Sequence, residues 1–151
     1  MPKKETIEKA RQDRREGKSA STQAGEFIKE QIDEIRAGKH GARSAKQAIA
    51  IGLSEARRAG VDVPPPKKGR VSEQTRRKAE QDYRKGREPA AHKPSPKRSR
   101  ATLNALKREG IEAASPEALS RQARSAAAKR SPGERSAAAK KAARTRERNA
   151  R

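Results

Sequence analysis

The sequence predicts an all-α protein: an antiparallel helical hairpin followed by a long basic arm that is largely disordered or conditionally helical. Three observations carry this expectation. Apolar residues recur at helical spacing mainly before the proline run at 64–66. The large aliphatics and Phe (7 Ile, 4 Leu, 3 Val and 1 Phe) make up only 15 of 151 residues, below the roughly 20% expected of a chain that folds throughout. Cations concentrate after the prolines, with 26 Lys and Arg against 9 Asp and Glu, compared with 14 against 10 before them. Most of the remaining apolar content is alanine, which favours helix but buries little area against a backbone entropy of roughly 1–2 kcal/mol per residue.

Residues 1–20 read as a charged N-terminal helix or tail, and residues 21–63 as the helical hairpin. In its first helix Ala24, Ile28, Ile32 and Ile35 share a stripe flanked by Phe27, with Ser21 or Thr22 as the cap and Gly38 as the stop. The second helix starts at Ser44, where Ser-Ala-Lys-Gln has the form of a capping box, and stops at Gly60. Ala45, Ala48, Ile49, Gly52, Leu53 and Ala56 share its inner face, and Ala24, Gly25, Ala48 and Gly52 permit close approach. Ile51 stands on the opposite side, which implies burial against another part of the chain or against a second copy, or simple exposure. Residues 64–71 read as a Pro/Lys linker, 72–86 as a short helix, and 87–151 as a basic Ala/Lys/Arg-rich arm. Within the arm, Ser95-Pro96, Ser115-Pro116 and Ser131-Pro132 each place a capping Ser before a Pro at the first helical position.

A formal net charge of +21 demands an anionic partner. No apolar run approaches the ~20 residues that span a bilayer, and the N-terminal residues lack the apolar stretch of a signal peptide. Cysteine is absent, so disulfides and thiolate metal sites are excluded and a cytoplasmic, nucleoid location is expected. Catalysis is not expected, nor is any cofactor or metal. His40 and His92 are far apart, lack metal-ligand spacing, and read as solvated loop residues. The loop around Gly38–Arg43 departs from the phosphate-loop order of a Gly, four residues, then Gly-Lys-Ser/Thr.

Phosphate contact is therefore assigned to cations. Lys39, Arg43 and Lys46 surround the start of the Ser44 helix, where free amides attract anions, and Arg57 and Arg58 continue that helix. A helix-turn-helix reading would expose Gln47, Ser54 and Arg58 to bases, but the connection is longer than that motif's turn. In the arm, Lys97 and Arg98 follow Ser95-Pro96 as in histone-tail units. Lys129, Arg130, Arg135, Lys140, Lys141, Arg144, Arg146 and Arg148 stand on an alanine scaffold that becomes helical as phosphates neutralise it. With Phe27 in the core and Tyr83 alone elsewhere, no stacking platform for single strands exists, so duplex DNA is favoured and structured RNA is the alternative.

The stretch GKHGARSAKQAIAIGLSEARRAGV at 38–61, with STQAGEFIKEQIDEIR before it at 21–36, resembles an uncharacterised bacterial family of short basic proteins known as a domain of unknown function. That resemblance implies a bacterial cytosolic origin and supplies no catalytic residue. The tail from about residue 95 onward is similar in composition to the tails of linker histones and histone-like bacterial proteins. The sequence thus leads to a nonspecific DNA-binding protein of nucleoid-associated or chromatin-protecting type. A ribosome- or RNA-associated protein and a module that self-assembles through the hairpin are the alternatives.

Overall fold

A computed structural model describes residues 1–89 and 93–151, and every regular element among these residues is helical. Seven α-helices run in order: α1 (Lys4–Arg15), α2 (Ala20–Arg36), α3 (Ala45–Arg58), α4 (Glu73–Lys85), α5 (Pro96–Lys107), α6 (Pro116–Ala128) and α7 (Pro132–Asn149). A 3-10 turn at Glu112–Ala114 lies between α5 and α6. The chain divides into two compact units, Met1–Ser115 and Pro116–Arg151.

The first unit is organised around α2 and α3. Ser19, not Ser21 or Thr22, caps α2: its hydroxyl accepts the Thr22 amide at 3.3 Å. The earlier start follows from Gly17, whose φ of +72° lets the chain reverse immediately after α1. Ser44 caps α3 as its motif predicts, accepting the Gln47 amide at 3.2 Å. The Gln47 side chain reaches back one residue further than a standard box and takes the Arg43 amide at 2.7 Å. The two helices meet where Gly52 faces Ile28: a Cβ at Gly52 would lie 2.7 Å from the Ile28 Cα. Gly25, expected to serve the same purpose, has open space where its Cβ would be.

Ala24, Phe27 and Ala56 form the core with Ala10 of α1 and Val61 beyond α3, flanked by half-buried Ile7, Leu53 and Val63. Phe27 and Ile35 are the largest side chains fully removed from solvent, each contributing about 1.5–3 kcal/mol by burial. The charged N-terminal segment is thus an integral helix, although only Ile7 and Ala10 of α1 give it an apolar anchor.

The other side of α3 is covered by α4. Asp82 is buried there; it accepts the Ser54 hydroxyl at 2.6 Å and lies 3.5 Å from the Arg58 guanidinium. Gly86 approaches so closely that a Cβ would fall on the Arg57 carbonyl. Ile51 is half-buried, intermediate between the two readings of its position. Between α3 and α4 the chain is held by Arg57, which donates Nε to Val63 O at 3.0 Å and Nη2 to Pro64 O at 3.3 Å.

A stretch of the expected arm also belongs to the first unit. The amides of Gly41 and Ala42 donate to Leu106 O at 2.9 Å and Gly110 O at 3.1 Å. Arg36 Nε donates to Ala114 O at 2.9 Å, and Ala113 and Ala114 are buried. A Cβ on Gly41 would overlap the Glu109 carbonyl, so only glycine admits this contact.

The expectation of a long, largely disordered arm over 87–151 is corrected: α5, α6 and α7 occupy most of it. The physical reason is local. Each helix begins with proline at its first position, and α7 has a complete capping box, with Glu134 N donating to Ser131 Oγ at 3.2 Å and Ser131 N to Glu134 Oε2 at 2.8 Å. Alanine-rich helices with such starts need no large core to be regular, so scarce aliphatics exclude deep packing without excluding helix. Residues 90–92 of the expected arm lie outside the described residues.

One buried group ties the first unit to pH. The Glu55 carboxyl, bonded to Gln31 Nε2 at 2.9 Å, is pushed above its usual range, first by burial and then by the neighbouring Glu30; the Met1 ammonium 3.9 Å away and Arg58 oppose the rise. A folded-state value above the unfolded one makes this stabilising contribution complete below the ordinary value of 4.5 and lost as pH rises through the raised value. Glu55→Gln, which copies the protonated carboxyl, is therefore expected to raise the urea midpoint at neutral pH. The gain should shrink at mildly acidic pH, and a gain equal at both would contradict the assignment.

Candidate nucleic-acid interface

The cations expected around the start of α3 meet different fates. Lys39, Arg43 and Lys46 are exposed; Lys39 lies 3.7 Å from Glu34, while the Arg43 and Lys46 side chains have no ion pair among the described residues. The loop amides between them are consumed, because those of Gly41 and Ala42 serve the backbone of the 106–110 segment. His40 is also not the solvated residue expected. It is 8% exposed, with Nδ1 3.0 Å from Gly41 O and Nε2 3.7 Å from Glu34, because the docked segment closes over the loop that holds it. His92 lies outside the described residues.

Arg57 is withdrawn from any interface. Its side chain is buried, and burial lowers its pKa from the ordinary value; its hydrogen bonds to Val63 and Pro64 are structural. Arg58 is exposed yet occupied, with Nη2 3.1 Å from Ser54 Oγ and Nε near Asp82. With Gln47 Oε1 accepting from the Arg43 amide and Ser54 bonded to Asp82, each of the helix-turn-helix residues is engaged within the fold. Tyr83 is committed as well: its hydroxyl donates to Asp62 at 2.6 Å, and the Arg87 guanidinium stacks 3.4 Å from its ring centroid. The Tyr83 hydroxyl, then Arg87, hold the Asp62 carboxyl below the usual carboxylate range.

The arm keeps its cations available. Lys97 and Arg98 lie exposed in the first turn of α5, where no acidic residue accompanies them and the helix dipole adds positive potential. Lys129 and Arg130 occupy the exposed connection between α6 and α7. Lys140, Lys141 and Arg144 stand on α7, every residue of which is exposed. These three, with Arg148, have no ion pair or hydrogen bond from their side chains among the described residues. Arg135 and Arg146 bond backbone carbonyls, Arg130 O at 3.1 Å and Ala142 O at 3.4 Å, which leaves most of their five donors free. Exposed cations are thus concentrated in α7 and the connection before it, and the first unit contributes scattered ones.

Residues 3–68 match the model of a family described as a family of unknown function (DUF6496). The match covers α1, α2, α3 and the extended residues that Arg57 holds, and it ends before α4. No curated protein and no solved structure matches the chain. No helix among the described residues is long and apolar enough to cross a membrane, and these residues contain no group of three or more His, Cys, Asp or Glu arranged to hold a metal.

Proposed function

We propose that the chain is a non-enzymatic DNA-binding protein that neutralises phosphates with Lys and Arg and tolerates many sequences, of the nucleoid-associated or chromatin-protecting kind in a bacterial cytoplasm. The observation that carries this reading is α7: an 18-residue helix with six cations at 135, 140, 141, 144, 146 and 148, exposed on every side. A helix exposed on every side gains nothing from a core, so its cations are what its sequence supplies to a partner. Phosphate contacts of this type position a protein without reading bases. The first unit serves in this account as a folded anchor that fixes α5 and carries the basic second unit.

Competition against a labelled DNA duplex tests the reading. The proposal expects unlabelled duplex DNA to compete better than heparin or structured ribosomal RNA at equal phosphate concentration. Equal ranking of all three would reduce the activity to general polyanion affinity, and a preference for the RNA would overturn the assignment of DNA.

A further inference from the structure

The arrangement of cations about the axis of α7 selects one kind of nucleic-acid surface. At about 100° per residue, Ala138, Ala142 and Thr145 fall on a single strip along the helix. Lys141 and Arg148 lie roughly 60–80° to one side of that strip, and Arg135 and Arg146 roughly the same angle to the other. The strip begins near Glu134, whose carboxylate is held by the Ser131 amide in the capping box, and ends near Asn149.

A helix with cations on one face suits a flat or convex anionic surface. Two cationic rows flanking a slim uncharged strip suit a groove whose walls both carry phosphates. Alanine and threonine keep that strip narrow, and the major groove of B-DNA, about 12 Å wide, admits an α-helix. The major groove of an A-form RNA helix is too deep and narrow to be entered in this way. Nothing in the unit's own packing obstructs entry, since α7 buries no residue.

We propose that α7 enters the major groove of duplex DNA with the Ala138–Thr145 strip toward the base edges, Lys141 and Arg148 on the phosphates of one strand, and Arg135 and Arg146 on those of the other. This rests on the DNA-binding reading above and deepens it by naming the groove and the contacting face. Lys140 and Arg144 then face solvent, although their charge equals that of the contacting residues. The strip offers methyl groups to the base edges and no Arg or Gln, so it favours thymine methyls weakly and leaves the binding tolerant of sequence.

The test compares the full chain with Ala138→Trp and Ala143→Trp on a DNA duplex and on an RNA duplex of the same sequence, with helicity checked by circular dichroism. Both variants carry the same uncharged bulk on a fully exposed helix, one on the strip and the other roughly 140° away. Ala138→Trp is expected to weaken DNA binding by about tenfold or more while Ala143→Trp leaves it nearly unchanged. The wild-type chain is expected to bind the RNA duplex about tenfold or more weakly than the DNA, and bound DNA to show guanine N7 protected from dimethyl sulfate. Equal effects of the two Trp variants, equal affinity for the two duplexes, or unprotected N7 would each overturn the groove assignment and leave phosphate binding standing. Failure to bind either duplex would overturn the DNA-binding reading itself.

Discussion

A chain ending at Ser115 is expected to lose duplex-DNA affinity by about a hundredfold or more at low salt, while its circular dichroism and melting remain those of a folded helical protein. The boundary is physical: Met1–Ser115 is a compact unit with its own core, and its last buried residues are Ala113 and Ala114. What is removed carries 11 Lys and Arg against 3 Asp and Glu, including all the cations of α7. What remains is still basic, with 29 against 16, but many of its cations are paired or withdrawn. Lys18 bonds Asp13 at 2.7 Å, Lys29 bonds Asp33 at 2.7 Å, and Arg76 bonds Glu73 at 2.6 Å. If the shortened chain bound as tightly as the full one in a gel-shift or anisotropy titration, the interface would have to be moved to the first unit.

Phe27→Ala is expected to cost about 3–5 kcal/mol and to lower the urea midpoint of the first unit sharply. Phe27 is fully buried and is the largest buried side chain in the cluster that joins α1, α2, α3 and Val61. The other buried members of that cluster are Ala10, Ala24, Ala56 and Val61, all much smaller than Phe, so the cavity is refilled only by shifts of the half-buried Ile7, Leu53 and Val63. A unit of this size has a total stability of roughly 5–10 kcal/mol, and one such loss removes about half of it. Urea unfolding followed by circular dichroism provides the measurement. A midpoint within experimental error of wild type would mean that α1 and Val61 do not depend on Phe27. The basic second unit should retain its helicity in the same variant.

Apart from the start of α2, which Ser19 caps two residues earlier than expected, the helix starts and stops were legible because they are local. Ser44, Ser72 and Ser131 each accept an amide three residues on, and Gly38 and Gly60 take the left-handed conformation that ends α2 and α3. The Gly52 approach was legible from its place on the apolar face of α3. What was not legible is carried by groups without a periodic signature. Docking of residues 106–115 on the 40–42 loop uses backbone amides and carbonyls, which every sequence possesses. The packing of α4 on α3 is made by Asp82 with Ser54 and Arg58, polar residues that pattern reading assigns to solvent. Arg57 reads as one more cation, and only the chain path past Val63 and Pro64 turns it inward. Exposed cations were legible in the arm, where charge density and alanine content coincide. At the hairpin the same residue types do not reveal that Arg57 and Arg58 bond within the fold.

On the proposed function, affinity comes from phosphates neutralised by the second unit. The most direct test is the salt dependence of duplex-DNA binding by the full chain. Contacts from Lys129 and Arg130 and from Arg135, Lys141, Arg146 and Arg148 of α7 predict a slope of log K against log salt near about −5, from roughly −0.9 per phosphate. A slope near zero would mean that these cations do not bind phosphate, and the claim would be wrong.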